Sequence, residues 1–297
     1  MTRPPRVSVV AVSYNHERFV DEALDSVAAQ TFGDYELVVA DDASTDGSAA
    51  RIEAWLARHD VRATFLRHDR NTGPCATLNE TMAACRGELV ATIACDDAWL
   101  PEKLATQVGV LDAAPPETGA VYSDAYLVGA DGTDLGGRFI ASYADFATPP
   151  EGDIYAHLLR GNFIPGVAAM FRRRCLDEVG PFDERLIFED WDFWLRLARR
   201  YRFAYSTYVS ARYRVLANSL VRTMGPRADE AYLRIYLANA PHAGAEREYV
   251  RREIARLAPL VAQRHPEKRR ELAWQRARRA PSPGAFRALA RALASRP

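Results

Sequence analysis

Two pairs of adjacent carboxylates carry the first chemical signal. Asp41-Asp42 closes the apolar run Val38-Val39-Ala40, and Asp96-Asp97 closes the run Ile93-Ala94-Cys95. One such step is accounted for by capping, because an aspartate after a strand accepts hydrogen bonds from the first turn of the next helix. Two steps at the same edge of one sheet ask for more, since like charges brought together cost energy unless a cation or donor groups neutralise them. A hard divalent ion held by one or two carboxylates and by substrate phosphates meets that demand. A third acidic group, Glu189-Asp190-Trp191-Asp192, opens a helical segment over residues 189–200, where the helix dipole favours an anion. A carboxylate there is either an N-cap or a base that removes a proton from a hydroxyl.

Such groups work only if the chain brings them together, and the first half has the pattern to do so. Val7-Ser-Val-Val-Ala-Val12 reads as a buried strand, after which Phe19, Ala23, Val27 and Ala28 recur at helical spacing. Tyr35 to Ala40 is a second strand, followed by a polar loop and a helix containing Ile52, Trp55 and Leu56. Ala63 to Leu66 is a third strand. A helix from about Cys75 stops at Arg86-Gly87, where glycine would supply a left-handed cap. Leu89 to Ala94 is a fourth strand, and Pro101 suits the first turn of the helix after it. Strands alternating with helices imply an α/β fold with a mostly parallel sheet flanked by helices. Ligands of such sheets sit beyond the carboxyl ends of the strands, where both Asp-Asp steps fall. The second half is less regular. It contains a hairpin around Asp131-Gly132, loop over residues 145–152, a strand at Val167 to Phe171, and a wholly helical end beyond about Asp229.

The order of motifs resembles the family 2 glycosyltransferases, which have the GT-A (Rossmann-like) fold. Ser13-Tyr14-Asn15 is similar to the family's opening nucleotide loop, and Asp41-Asp42-Ala43-Ser44-Thr45-Asp46-Gly47 to its DDGSTDG segment. Arg70-Asn71-Thr72-Gly73 with Asn79 resembles its RNxG…N segment. Asp96-Asp97-Ala98-Trp99-Leu100-Pro101-Glu102-Lys103-Leu104 resembles the DxD region with its trailing residues. Gly180-Pro181-Phe182-Asp183-Glu184, followed by Glu189-Asp190-Trp191-Asp192, resembles the G-x-F-D-E…E-D-W-D segment. The resemblance spans about Val7 to Ser219. It implies a GT-A domain over residues 1–225, with a nucleotide-sugar half to about 123 and an acceptor half after it, and leaves 226–297 as a basic helical extension.

The resemblance also implies roles. The activity would be metal-dependent, inverting transfer of a sugar from a nucleoside diphosphate donor, UDP- or dTDP-linked, to an acceptor hydroxyl in cell-surface polysaccharide or glycolipid synthesis. Ser13, Asn15, Asp41, Asp42, Arg70, Asn71, Gly73 and Asn79 would form the donor site, with Asp42 accepting from a uracil N–H. Ser44 to Gly47 would either touch the ligand or only cap the next helix. Asp96 would ligate Mn²⁺ or Mg²⁺, and Asp97 would reach the metal through water or orient the ribose. Asp190 would be the base, with Glu189 beside it, and Asn162, Trp191 and Asp192 would face a saccharide or lipid-linked acceptor. Two positions depart from the pattern: Ala94 replaces the first acid of the DxD element, and Leu216 replaces the histidine of a YRxH segment. They leave open a non-catalytic nucleotide-sugar-binding relative. A nucleotidyltransferase is disfavoured because Ser13-Tyr14-Asn15-His16 is not a glycine-rich phosphate loop.

Composition bounds the rest. The 297 residues carry 39 Lys plus Arg and 39 Asp plus Glu, a balance that disfavours a nucleic-acid binder. The zero is a cancellation, since residues 245–297 sum to +9 and residues 1–244 to −9. Basic amphipathic stripes in that tail, Val250, Ile254, Leu257 and Val261 in one and Phe286, Leu289 and Leu293 in another, suit an anionic membrane face, the acidic body or a second subunit. Four cysteines without a CxxC pair indicate no zinc site or disulfide framework. His16 reads as a solvent-facing loop residue. With no apolar stretch of secretory-signal or membrane-spanning type, the expectation is a cytoplasmic enzyme, or one peripheral at the inner face of the membrane.

Overall fold

Apolar at every position but Ser8 and Ser13, the segment that opens the fold becomes its central strand, β1 (Val7–Ser13). The computed structural model describes residues 3–217, 219, 223–241 and 244–294. After β1 the expected alternation follows: α1 (Val20–Ala28), β2 (Tyr35–Asp41), α2 (Ser48–Arg58), β3 (Ala63–Arg67), α3 (Pro74–Ala84), β4 (Leu89–Ala94), a short β5 (Ala98–Trp99) and α4 (Lys103–Ala113). The next stretch holds β6 (Thr118–Tyr122), β7 (Ala125–Val128), β8 (Asp134–Arg138), α5 (Phe139–Tyr143), α6 (Tyr155–Leu158), β9 (Ala169–Arg172), α7 (Arg173–Val179), α8 (Asp190–Ala198), β10 (Arg202–Tyr205) and β11 (Ala211–Arg214). The end is helical, with α9 (Pro226–Ala238), α10 (Ala245–Arg264), α11 (Arg269–Arg279) and α12 (Pro283–Ala294).

Among the described residues the main sheet runs β10-β6-β9-β4-β1-β2-β3, and a smaller sheet runs β5-β11-β7-β8. β3, β2, β1 and β4 are mutually parallel, while β9 lies antiparallel between β4 and β6. The strand expected at Val167 to Phe171 therefore starts at Ala169, after a 3₁₀ turn over Gly166–Ala168, and runs against its neighbours. Ser13 pairs with Asp41 and Val12 with Ala94. This register sets both Asp-Asp steps at one edge, on either side of β1.

The central strands read as continuous apolar runs because both faces are covered. Val7, Val9 and Ala11 pack with Leu37, Val39, Ile93, Leu24 and Trp55 on one side. Val10, Val38 and Val90 pack on the other with residues of α3, α8, α9 and α10. Each such Val or Leu contributes roughly 1.5–3 kcal/mol by leaving water. The stripe Val250, Ile254, Leu257 and Val261 belongs to this second layer and is buried.

Gly87 does not make the expected left-handed cap. Helix α3 ends at Ala84, and Cys85 is already extended at φ −71°, ψ 138°. Glycine is required here for close approach, because a Cβ on Gly87 would stand 2.5 Å from the Ser8 amide nitrogen. The turn thereby packs directly on β1, and the Gly87 N–H donates to Ser8 Oγ at 2.8 Å.

Candidate active site

The loop after β1 and the loop after β2 are laced together by short polar side chains. Asp41 accepts from the Ser44 N–H at 2.9 Å and from Ser44 Oγ at 2.6 Å. Ser44 Oγ in turn accepts from the Asn15 N–H, while Asn15 Oδ1 accepts from the Thr45 N–H, both at 2.8 Å. Asn15 and Ala43 both take φ 57°, a conformation in which asparagine is among the better-tolerated side chains. Asp42 ties in the third loop. Its carboxylate accepts from the Thr72 N–H (2.8 Å), Thr72 Oγ1 (3.1 Å), the Gly73 N–H (2.9 Å) and His68 Nδ1 (2.9 Å). Burial alone would push the Asp42 carboxyl up, but the donors from Thr72, His68 and Gly73 together hold it below its ordinary value. Gly73, at φ 88°, supplies the turn that aims its N–H at Asp42 and starts α3.

Past β4 the second Asp-Asp step is divided in character. Asp97 is 5% exposed and accepts from the Arg214 N–H at 2.7 Å. Burial and then the charge of Asp96 push its carboxyl well up, against the pull of Arg214. Asp96 is only partly buried, and its Oδ2 lies 3.8 Å from Nε2 of His16, with both side chains 19% exposed. Arg214 is the brace beneath. Its guanidinium donates to Asp96 O (2.7 Å), Gly129 O (3.1 Å) and Glu22 Oε2 (2.6 Å), joining β11, the β4–β5 turn and α1.

Asp190 stands at the first position of α8 and is half-buried. Its Oδ2 accepts from Asn162 Nδ2 at 2.7 Å, and its Oδ1 from the Trp191 N–H at 2.7 Å. Burial pushes its carboxyl up to about 6, against those two donors. Burial and the charge of Asp190 push Glu189 up to about 7. Asp190 is near the sheet edge, since a Cβ on Gly166 would meet its Oδ2 at 4.0 Å and Thr92 of β4 donates to Gly166 O at 3.3 Å. One phenol senses both carboxylate groups. Burial raises the Tyr213 hydroxyl, and the charges of Asp97, Asp96 and Asp190 raise it further. Both groups therefore lie within electrostatic reach of Tyr213.

The sequence-derived candidates fall into separate sets. Ser13, Asn15, Asp41, Asp42, Asn71 and Gly73 meet at the carboxyl edge of β1 and β2. Ser13 is buried, with an Oγ that has no protein partner among the described residues. Asn71 Nδ2 reaches Asp42 O at 3.3 Å. Arg70 is exposed on the same loop. Asp42 is 3% exposed and takes four hydrogen bonds, which tie the third loop to the end of β2. Asn79 is spent elsewhere, exchanging hydrogen bonds with the Phe182 backbone at 2.8 and 3.0 Å. Trp191 and Asp192, expected at the acceptor, point into the protein. Trp191 is 4% exposed and donates to Leu158 O, while Asp192 is 5% exposed and is held by Arg196 and Asn239. Helical geometry explains this, because positions one and two beyond Asp190 must turn away from the face that Asp190 presents.

Sequence reasoning missed Arg214, His16 and His68. Arg214 stands in the Tyr213–Ser219 segment that was read for Leu216 alone, and Asn218 of that segment lies outside the described residues. His16 is not solvent-facing: its Nδ1 is buried without a protein partner among the described residues. Its backbone N–H, bonded to Ser48 Oγ at 2.8 Å, fixes it toward Asp96.

Similarities to known proteins follow this geometry. The pattern of the family described as glycosyl transferase family 2 matches residues 8–180. An uncharacterized protein of Mycobacterium tuberculosis is 38% identical over 128 residues, 42% of this chain and 37% of that protein. An O-antigen biosynthesis protein of Myxococcus xanthus is 33% identical over 185 residues, 62% of this chain and 14% of that protein. The chain thus spans well under half the length of these curated relatives. A Pyrobaculum calidifontis mannosyltransferase, solved with GDP-mannose and Mn²⁺, superposes with TM-score 0.63 at 22% identity, covering 100% of this chain and 77% of that one. S. aureus TarS in complex with UDP-GlcNAc gives TM-score 0.62 at 19% identity, covering 91% and 79%. With the matched pattern covering more than half of the chain and the overall fold shared with these structures, the chain belongs to glycosyl transferase family 2 and has the GT-A fold.

Proposed function

We propose that the chain transfers a glycosyl group from a nucleoside diphosphate sugar to an acceptor hydroxyl, with inversion and with Asp190 as the base. One observation carries this reading. A half-buried carboxylate, clamped by Asn162 and pushed up to about 6, stands against Gly166, which Thr92 ties to β4 near the carboxyl edge of the sheet. A base with that value is ionised at neutral pH yet still attracts a proton, the compromise that general-base catalysis needs. On this reading Asp190 Oδ2 takes the acceptor proton as the hydroxyl attacks the anomeric carbon, and Asn162 holds the carboxylate in its attacking orientation. Ser13, Asn15, Arg70 and the Gly73 loop would hold the nucleotide, with Arg70 offering a planar cation to base or phosphate.

A divalent ion, Mn²⁺ or Mg²⁺, fits the donor set at Asp96. Its Oδ2 faces His16 Nε2 at 3.8 Å, a span compatible with two ligands each at about 2 Å from one ion. Among the described residues no three His, Cys, Asp or Glu side chains gather to hold a metal, so diphosphate oxygens would complete the shell. Such an ion supplies charge neutralisation to the departing diphosphate. His16 would stand in for the ligands lost at Ala94 and Leu216. The fold shared with structures solved with GDP-mannose and UDP-GlcNAc supports a nucleotide-sugar donor, and the relative named for O-antigen biosynthesis supports a cell-surface saccharide or glycolipid acceptor.

Asp190→Asn tests the base directly. Donor binding, measured by calorimetry, should be retained, while single-turnover transfer should fall by about 10²–10⁴-fold. Transfer within a few-fold of the parent would refute the assignment.

A further inference from the structure

The last two helices carry the two most exposed large apolar side chains among the described residues. In α12 the small residues face inward, with Ala285 fully buried and Ala292 4% exposed, while Phe286 and Leu293 are 56% and 61% exposed. Seven residues apart, Phe286 and Leu293 are two helical turns from each other and share one face. In α11 Leu272, Ala273 and Ala277 are buried and Trp274 is 53% exposed, with Arg278 over its ring. A large apolar side chain left in water forgoes roughly 1.5–3 kcal/mol of burial, so a helix docked by its alanines has its main apolar surface still to cover.

The charge of these helices is one-sided as well. Residues 269–294 contain seven arginines and a single acid, Glu271. Among the described residues Arg269, Arg276, Arg278, Arg279, Arg287 and Arg291 form no ion pair with a carboxylate, and Glu271 accepts from Gln275 instead. The preceding helix behaves differently. Arg251, Arg252 and Arg256 of α10 pair with Glu248 and Glu253, while Arg264 and Lys268 pair with Asp229 and Glu230 of α9. Between α10, α11 and α12 a recess of about 390 Å³ is lined by Ala258, Leu272, Arg269, Arg276 and Arg291. Burial holds the Arg276 guanidinium below its ordinary value, so an anion brought into that recess would be welcomed.

The occupant of this face must offer anions and apolar matter within a few ångströms of each other. A second copy of the chain fits poorly. Its acidic part, residues 1–244, exposes as large apolar side chains only Tyr14, Leu135 and Tyr143 among the described residues, on three separate elements. Tail against tail would set like charges face to face. An anionic bilayer presents phosphates above acyl chains, and a basic helix with exposed Phe and Leu lies in that boundary. No helix among the described residues is long and apolar enough to cross a membrane. We propose that α11 and α12 dock the protein on an anionic phospholipid surface, with Phe286 and Leu293 entering the acyl boundary and the arginine-lined recess receiving lipid phosphate.

Flotation of the full chain with vesicles tests this. The parent should float with equal parts phosphatidylcholine and phosphatidylglycerol but not with phosphatidylcholine alone, and high salt should release it. Arg287→Gln with Arg291→Gln should weaken binding about thirtyfold, at about 1 kcal/mol for each arginine. Phe286→Ser with Leu293→Ser should weaken it at least as much. All four positions are exposed, so far-UV circular dichroism should be unchanged. No flotation of the parent, or equal flotation of parent and both variants, would overturn the proposal. So would a dimer in sedimentation equilibrium that the Phe286/Leu293 variant dissociates while vesicles bind neither form.

Discussion

Three side chains far apart in sequence make the catalytic reading specific: Asp190, the Asn162 that holds it, and the Asp96 that faces His16. The sequence announces the acids, because they stand at strand and helix ends in motif order. It does not announce Asn162 against Asp190 or His16 against Asp96, since those meetings depend on how loops 28 and 80 positions apart fold back. For the same reason Trp191 and Asp192 read as site residues although helix phase sends them inward. Asn162 supplies a test that a structural role alone would not pass. Its amide donates to the ionised form of Asp190 and so lowers that group's pKa. Asn162→Ala should raise it, and the acid limb of the rate profile, near pH 6 in the parent, should move to higher pH. A lower rate with an unmoved limb would make Asn162 a packing residue only.

Helices and strands were more legible than side-chain meetings. The strands β1, β2 and β4 were visible because burial on both faces writes them as largely apolar runs. β6 and β10 are five and four residues long, too short to establish a period, and β9 hides its reversed direction because pairing sense leaves no mark on composition. Helix α8 is tied to the C-terminal helices by a buried polar link, in which Asn239, just past α9, donates to Asp192 at 2.8 Å. Asn239→Ala would leave that carboxylate oxygen without its donor. The expected cost is about 1–3 kcal/mol of unfolding free energy, measured by urea denaturation. A loss under about 0.5 kcal/mol would mean that the aromatic packing of Trp191 on Tyr232 and Tyr236 holds α9 without it.

At the scale of the molecule, the two opposing charges seen in the sequence have different fates. Part of the basic end is neutralised on the acidic body through α9 and α10, while α11 and α12 keep their arginines and their large apolar residues at the surface. The sequence could not divide the tail in this way, because Val250 and Phe286 begin stripes of the same appearance and only packing buries one of them. The body keeps its acids where a cation and a diphosphate would offset them, an arrangement that would make donor binding metal-dependent. It is tested most directly by thermal unfolding of the parent and of Asp96→Ala with a panel of nucleoside diphosphate sugars, each with and without Mn²⁺. One donor class should stabilise the parent only when the metal is present, and Asp96→Ala should lose this stabilisation. Stabilisation by no donor, or stabilisation that is independent of metal and unchanged in Asp96→Ala, would contradict it.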